Sequence, residues 1–487
     1  MSDEAKLFQR ALWIVAAITL VRVAVLIVSP LELYPDEAQY WWWAQTPDLG
    51  YFSKPPLIAW IVAATTAAFG NAEWVIRLAS PLLHAGTALL MFGIAKLTFN
   101  ARTGFWSGLA YLTLPGVSYS CGLISTDVPL LFCWALALYA FLRAARDPGW
   151  RWPILCGLAL GLGLLAKYAM LYFVLGAVAA ALMVPEFRKL VFHWRGLAIL
   201  LIGLALLAPN LIWNAVHGFP TVSHTEANAD WGRAHFELSH LFDFVWSQFG
   251  VFGPLLMLGY GLALWGLARG RNRNGRAFAL AAFSVPIVVL IAIQAFISQA
   301  NANWAATAYI AATPLAVFML LHHYRRMVLW VSFAFNGLVM AVLWAILVAP
   351  PVADAMGVGN ALKREEGWRP MATAVAAQAG REPYAAVVAA NRSVIAELLY
   401  YGHAMKTPVR MWDRDLHDDD HFEMTMRLHR ASGRFLLVLE ASEPRFVPET
   451  FASATRIAAV VIPVGGGRTR TTVLLDANNY LGPQLAR

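Results

Sequence analysis

Long apolar segments recur along most of this chain, and they constrain its fold more than any other feature. About 20 predominantly apolar residues are needed to cross a bilayer, and eleven segments are candidates by that guide. They are residues 11–29, 74–95, 104–122, 127–143, 153–166, 168–184, 196–215, 244–268, 277–298, 304–321 and 327–348. Only 14% of the 487 residues are charged, whereas soluble proteins average about 25%. The chain is therefore predicted to be a polytopic α-helical membrane protein.

The basic residues lie mainly at alternate ends of these segments. With the N terminus in the cytoplasm, the cytoplasmic ends collect clusters such as Arg143 with Arg146 and the arginines within 269–276. Positive charge is enriched on the cytoplasmic side of membrane proteins, so this orientation is predicted. The net charge is +8, but the basic residues lie in short clusters between apolar segments. Membrane lipids rather than nucleic acid are therefore the expected surroundings.

The composition changes after Pro350. The later residues are rich in charge and contain no apolar run of span length, but they contain short apolar stretches typical of strands. These stretches are 385–390, 435–439, 457–462 and 472–475. We predict a membrane domain at 1–349 and a small periplasmic α/β domain at 350–487. The acidic run 413–421 is interpreted as a solvated loop rather than a metal site.

The connection between the first two obvious spans, residues 30–73, is too long for a tight turn and too apolar for a solvated loop. Helices lying on the outer membrane face are predicted there. If Pro35 opens a helix, Asp36 and Tyr40 lie on one face, four residues apart. Ionisable groups at a membrane boundary usually serve a function. The alternative is that Asp36 and Glu37 only favour the positive end of the helix dipole.

Two further polar residues are predicted at the same outer face. Lys54 precedes two prolines, and Asp127 stands at the start of the fourth span. A carboxylate there would deprotonate an acceptor hydroxyl, and Lys54 would neutralise the developing charge of a lipid phosphate leaving group. The alternatives are that Asp127 is a helix N-cap and that Lys54 extends its amine from the membrane to water.

Three other cations are notable. Lys167 falls at the outer end of two short spans and is a candidate ligand of the same phosphate, although an interfacial lysine is an equal alternative. Arg233 lies in the outer loop 217–243 and is a second candidate, because guanidinium groups suit bidentate phosphate contacts. Arg22 lies within the first span and is expected to have a polar partner there.

Several of these residues belong to motifs that resemble those of the GT-C membrane glycosyltransferases. The motifs are PDEAQY at 35–40, YFSKPPL at 51–57, RL at 77–78, TD at 126–127 and NWAA at 303–306. The similar groups are bacterial relatives of protein O-mannosyltransferases and the lipid A aminoarabinose and galacturonic acid transferases. The resemblance covers the membrane part and is weak over the C-terminal domain.

The resemblance implies a sugar transferase that uses a polyprenyl-phosphate-linked donor on the periplasmic face of the bacterial inner membrane. It implies that Asp36 is the catalytic carboxylate, within the pair it forms with Glu37, and that Asp127 assists. Tyr40 and Lys54 are implied to bind the donor phosphate. The expected acceptor is lipid A, core oligosaccharide or another envelope glycan, and a protein hydroxyl is the alternative.

One position departs from the family pattern. Aminoarabinose transferases carry a glutamate that helps to bind zinc just before the lysine, and this chain has Ser53 there. The histidines of the loop 217–243 have no standard zinc spacing, so no metal site is predicted, and a divalent metal at Asp36 and Asp127 stays open. The competing function is a transporter or lipid flippase, which would need charges near the bilayer midplane.

Overall fold

A computed structural model of the protein describes residues 2–229, 236–270, 274–322, 326–413, 416–441 and 450–482. The chain forms two compact units. The first comprises Met1–Ile27, Lys54–Ile61 and Arg77–Trp344, and the second comprises Val28–Ser53, Val62–Ile76 and Ala345–Arg487. Part of the connection after the first span therefore belongs to the same unit as the C-terminal region. The predicted division into domains at 349/350 stays a prediction.

Helices form most of the described chain. In chain order they are α1 Asp3–Val28, α2 Pro35–Gln45, α3 Leu57–Phe69, α4 Glu73–Arg77, α5 Ala79–Thr98, α6 Ala101–Thr113, α7 Pro115–Ser120, α8 Asp127–Ala144, α9 Arg151–Ala166, α10 Tyr172–Met183, α11 Pro185–Val191, α12 Trp194–Val216, α13 Pro220–Ala229, α14 Leu238–Phe252, α15 Pro254–Ala268, α16 Gly275–Ala282, α17 Val285–Ile297, α18 Ala308–His322, α19 Arg326–Val348, α20 Pro351–Ala355, α21 Trp368–Ala379, α22 Arg392–Tyr401 and α23 His421–Met426. Single 3₁₀ turns lie at Tyr168–Leu171, Ala302–Ala305 and Gly359–Leu362.

Within the described ranges, six helical segments are long and apolar enough to cross a bilayer. They are Asp3–Val28, Glu73–Thr98, Asp127–Ala144, Trp194–Val216, Gly275–Ile297 and Arg326–Val348. A bent pair, α14 with α15, would make a seventh. Shorter apolar helices lie at Leu57–Phe69, Arg151–Ala166, Tyr168–Met183 and Ala308–His322. The polytopic helical fold is confirmed, whereas the count of eleven spans is not.

The segment predicted as a span at 244–268 is not one continuous helix. The chain bends by 106° between α14 and α15. Gly253 has a φ of +85° at the bend, a conformation open to glycine because it lacks a Cβ atom. Pro254 follows as the first residue of α15 and cannot donate the backbone hydrogen bond that would continue α14. Two adjacent residues therefore end one helix and begin another.

Small residues allow close packing in the first unit. A Cβ atom added to Gly157 of α9 would lie 2.7 Å from the Cβ of Ile202 in α12, and one added to Gly161 would lie 2.7 Å from that of Leu206. Both distances are shorter than real carbon contacts allow. The four-residue spacing places both glycines on one face of α9, where small residues bring helix backbones together.

Arg22 has the polar partner that its position in α1 requires. Its Nη2 donates a hydrogen bond to the backbone carbonyl of Leu112, and only 1% of the residue is exposed. The same unit buries His84, whose Nδ1 lies 2.8 Å from the hydroxyl of Tyr111. Nη2 of Arg22 and the His84–Tyr111 pair are therefore hydrogen-bonded inside the helical unit, where unpaired polar groups are costly, whereas Nε and Nη1 of Arg22 are buried without a hydrogen-bond partner among the described residues.

The C-terminal region contains a five-stranded mixed sheet. The strands are β1 Ala386–Ala389, β2 Val409–Met411, β3 Ala431–Glu440, β4 Phe451–Val464 and β5 Arg468–Tyr480. Their order is β2-β1-β3-β5-β4, with β1 parallel to both its neighbours and β5 antiparallel to both of its own. The predicted α/β architecture and its four strands are confirmed. The strand β2 was not predicted, because three residues are too few to show a period.

Candidate active site

The first turn of α2 positions Asp36. Pro35 is the first residue of this helix, as predicted, and the Glu37 carboxylate accepts a hydrogen bond of 3.0 Å from the backbone N–H of Tyr34. This hydrogen bond satisfies a backbone donor that would otherwise lack a partner at the start of the helix. Glu37 is fully buried, whereas 31% of the Asp36 side chain is exposed. The two adjacent carboxylates therefore occupy different environments.

An arginine from the C-terminal region contacts Asp36. Nη1 of Arg392, the first residue of α22, donates a hydrogen bond of 2.7 Å to Oδ1 of Asp36. It also donates to the side-chain oxygen of Gln39. Burial alone would lower the pKa of Arg392, but the charge of Asp36 and the hydrogen bond to it raise that pKa. Arg392 also interacts electrostatically with Tyr40 and Asp420.

Arg392 was not predicted from the sequence, because it is 356 residues from Asp36 along the chain. The one local signal is its place in the first turn of a helix, since Asn391 caps α22 by accepting a hydrogen bond from the N–H of Ser393. A cation is unfavourable at that end of the helix dipole. A nearby carboxylate offsets this cost, so the unusual placement indicates an acidic partner elsewhere in the chain.

Aromatic packing holds α2 against α22 within the second unit. The rings of Trp41 and Tyr400 meet edge to face, with centroids 5.0 Å apart. Both side chains also bind Asn71: Trp41 Nε1 donates to its side-chain oxygen at 2.8 Å, and the Tyr400 hydroxyl donates to its carbonyl at 2.6 Å. These contacts fix the two helices that carry Asp36 and Arg392, so the ion pair does not depend on its own attraction alone.

A second polar cluster forms around Asp127 in the first unit. Oδ1 of Asp127 accepts a hydrogen bond from Lys167 Nζ at 2.7 Å, and Oδ2 accepts one from Asn303 Nδ2 at 2.6 Å. Asp127 is the first residue of α8, and Thr126 occupies the N-cap position. Asp127 is therefore not the N-cap. It joins three segments that are far apart in the sequence.

The sequence-predicted residues fall into two groups. Asp36, Glu37 and Tyr40 belong to the second unit, whereas Lys54, Asp127 and Lys167 belong to the first. The structure brings Asp127 and Lys167 together, as an ion pair with side chains 15% and 24% exposed. Lys54 is half-buried in the turn before α3. Arg233 lies outside the described residues.

The two clusters do not fit a divalent cation. Among the residues that the structure describes, no group of three or more His, Cys, Asp or Glu side chains could hold a metal ion. Asp36 is bound by Arg392 and Asp127 by Lys167, whereas Mg²⁺ and Ca²⁺ require several oxygen ligands converging on one point.

A buried aromatic cluster in the second unit contains His421, and Glu423 lies two residues further along the same helix, α23. The rings of Trp43 and Tyr51 stack with centroids 4.3 Å apart, and His421 packs edge-on against both. Burial lowers the pKa of His421 to about 4. Glu423 accepts a hydrogen bond of 2.6 Å from the N–H of Asp419, and burial raises its pKa to about 7. The two groups therefore have pKa shifts of opposite sign.

Comparison with known proteins finds relatives of this sequence among sugar transferases. Residues 53–213 match the family model described as dolichyl-phosphate-mannose-protein mannosyltransferase. The lipid A galacturonosyltransferase RgtD of Rhizobium johnstonii is 39% identical over 396 residues, which cover 80% of this chain and 82% of that protein. The undecaprenyl phosphate-α-4-amino-4-deoxy-L-arabinose arabinosyl transferase 2 of Pseudomonas fluorescens is 32% identical over 151 residues, 27% of each chain.

A solved structure shows the same fold. ArnT from Cupriavidus metallidurans, bound to undecaprenyl phosphate, superposes with a TM-score of 0.65. The match covers 95% of this chain and 97% of ArnT at 19% sequence identity. At that identity the likeness concerns the fold alone.

Proposed function

This chain belongs to the GT-C superfamily of membrane glycosyltransferases, and we propose that it transfers a sugar from a polyprenyl-phosphate donor to lipid A or its core oligosaccharide. The observation that carries the proposal is the 39% identity, over 80% of the chain, to a protein named as a lipid A galacturonosyltransferase. The donor class follows from the relatives named for undecaprenyl phosphate-linked aminoarabinose. The alternative of a transporter or flippase is set aside, because the chain is a glycosyltransferase.

The sugar that we propose is a uronic acid, as in the name of the relative that aligns with most of this chain. Such a sugar carries a carboxylate on its ring, whereas aminoarabinose carries an amine. The contacts of the donor sugar should therefore differ from those in the aminoarabinose transferases, even where the phosphate is bound alike.

In the proposed reaction Asp36 is the general base. Its carboxylate accepts the proton of an acceptor hydroxyl while that oxygen attacks the anomeric carbon of the sugar. The bond from this carbon to the phosphate oxygen breaks, and the polyprenyl phosphate leaves with the electron pair. One-third exposure of the Asp36 side chain supports this role, since a base must reach its substrate. The buried Glu37 would support α2 and hold Asp36 in place.

The donor phosphate is proposed to bind Tyr40, Lys54, Lys167 and Arg233, and Asp127 is proposed to orient Lys167. Cations placed at the leaving phosphate stabilise the charge that develops there. The hydrogen bond from Lys167 to Asp127 supports the orienting role. No acid needs to protonate a phosphate that leaves as an anion at neutral pH.

The protein is a multi-pass protein of the bacterial inner membrane. We propose that its N terminus is cytoplasmic and that Asp36 and the C-terminal region are periplasmic. The basic clusters that alternate along the chain support this orientation.

Reconstitution tests the reaction directly. Purified protein would be incubated with undecaprenyl-phosphate galacturonate and lipid A, and the products would be measured by mass spectrometry. A mass gain of one galacturonosyl residue on lipid A is expected, and Asp36→Asn is the matched inactive control. Transfer to a protein hydroxyl but not to lipid A or core oligosaccharide would contradict the proposed acceptor. If no acceptor receives the sugar, the proposed donor is wrong.

A further inference from the structure

One nitrogen of the Arg392 guanidinium makes its hydrogen bonds to the described part of the protein. Its Nη1 donates to Asp36 and to Gln39, while Nε and Nη2 have no hydrogen-bond acceptor within the described part of the chain. One third of the Arg392 side chain is exposed. The arginine is therefore held in place at one nitrogen, and its Nε–Nη2 edge remains available to a ligand.

That edge has a defined chemical preference. Nε and Nη2 carry two parallel N–H groups whose spacing matches the two oxygens of a carboxylate, and such bidentate pairs are stronger and more directional than single hydrogen bonds. A lysine ammonium cannot reproduce this geometry. The free edge of Arg392 is therefore suited to a planar anion.

The position of Arg392 suggests which anion this is. If Asp36 takes the proton of the acceptor hydroxyl, the sugar ring must lie beside Asp36 during the reaction. Arg392, which is hydrogen-bonded to Asp36, then lies within reach of that ring. Asp36 and Asp420 are both negatively charged neighbours of Arg392. Without a cation between them and the donor, they would repel an acidic sugar.

We propose that Arg392 selects an acidic sugar: Nη1 holds Asp36, and the Nε–Nη2 edge binds the carboxylate of the uronic acid being transferred. This inference rests on the proposed function. It gives the C-terminal region a direct part in donor recognition, because α22 begins with Arg392.

Two donors that differ only at the carboxylate test the proposal. Undecaprenyl-phosphate galacturonate and undecaprenyl-phosphate galactose would be titrated without acceptor into wild type, Arg392→Gln and Arg392→Lys, and the Kd of each donor measured. Wild type should prefer the uronate. Arg392→Gln should weaken uronate binding by about 10- to 100-fold relative to galactose, the range for a lost charge-assisted pair. Arg392→Lys, which keeps the charge, should lose part of the preference.

The control is Arg381→Gln in the same unit, since the Arg381 side chain is exposed and donates a long hydrogen bond of 3.4 Å to the side chain of Gln378. Its donor preference should equal that of wild type. If Arg392→Gln and Arg392→Lys fold, as shown by unchanged unfolding temperatures, and keep the wild-type preference, the inference is wrong. If wild type itself binds and transfers neither donor, the proposed function has failed instead.

Discussion

Lys167 donates a hydrogen bond of 2.7 Å from Nζ to Oδ1 of Asp127, although 40 residues separate them in the sequence. The pair is mostly shielded from water, with side chains 24% and 15% exposed. Lys167 follows α9 in an extended conformation, and Asp127 opens α8. A cation proposed to bind the donor phosphate is thus already paired with a carboxylate in the protein alone.

This pairing predicts energetic coupling in catalysis. Lys167→Gln should raise the donor KM, and Asp127→Asn should do so less, because asparagine still offers an acceptor oxygen. The double variant should lose less kcat/KM, expressed as free energy, than the sum of the losses in the two single variants. The difference is the coupling energy, expected to be about 0.5–3 kcal/mol. The exposed ion pair Glu4–Lys96 is the matched control and should show no effect. Additive losses at Asp127 and Lys167 would mean that the two act independently.

The adjacent carboxylates Asp36 and Glu37 should have separable effects. Asp36→Asn keeps the shape and the acceptor for Arg392 but cannot take a proton, so turnover should fall by about 10²–10⁴-fold with little change in unfolding temperature. Glu37→Gln weakens a buried cap of α2 and should instead reduce stability by about 1 kcal/mol. Turnover and thermal unfolding of the purified variants distinguish the two. Near-normal turnover of Asp36→Asn beside an inactive Glu37→Gln would reverse the assignment.

The positive charge of Lys54 should matter more than its hydrogen-bonding geometry. A phosphate at a membrane interface is attracted by charge that water screens only weakly, so Lys54→Arg should keep more activity than Lys54→Ala or Lys54→Met. The uncharged variants should raise the donor KM about tenfold, equivalent to about 1.4 kcal/mol. Lys189→Met, in a basic cluster assigned to the cytoplasmic side, is the control. Equal activity in all Lys54 variants would leave that residue without a role in donor binding.

His421 and Glu423, two residues apart on α23, should give the second unit two opposing pH dependences. The pKa of His421 falls from 6.5 to about 4 on folding, so its contribution to stability is lost as the pH falls from about 6.5 to 4. The pKa of Glu423 rises from 4.5 to about 7, so its contribution is lost as the pH rises from about 4.5 to 7. In the wild type these two slopes partly cancel between pH 4.5 and 6.5.

Single substitutions should reveal each slope. His421→Phe, at a ring whose buried Nδ1 has no partner within the described residues, should make stability fall more steeply with rising pH. Glu423→Gln should make stability rise with increasing pH. Unfolding temperatures of the full-length protein, measured by tryptophan fluorescence in steps from pH 4.5 to 7, would show the difference from wild type. Variants that both follow the wild-type curve would contradict these pKa shifts.

The proposed orientation predicts the activity of fused reporters. Alkaline phosphatase is active only outside the cytoplasm, so a fusion after Pro350 should be active and one near Arg273 should be inactive. The alternation of basic residues along the chain is the physical reason. A cytoplasmic reporter such as green fluorescent protein should give the opposite pattern at the same two positions. Reversed signals would place Asp36 in the cytoplasm.

Properties that depend on neighbouring residues were predictable from the sequence. Apolar runs located the long helices of the first unit, such as α1, α5, α8 and α12, because the length and period of an apolar run can be read along the chain. Pro35 set the start of α2, and Gly466 and Gly467, both with positive φ, form the turn between β4 and β5. The bend at Gly253 and Pro254 was missed, although both residues were visible, because the apolar run continues through them.

Tertiary structure alone decided which charges meet. Asp36 was recognisable as a candidate from its motif, but its partner Arg392 lies 356 residues away, and Asp127 is joined to Lys167 and Asn303 from different segments. Hydrophobic periodicity repeats within a few residues, so it can be read along the chain. An ion pair between distant segments depends on how whole helices pack, as Trp41, Tyr400 and Asn71 pack α2 against α22, and no local pattern records that arrangement.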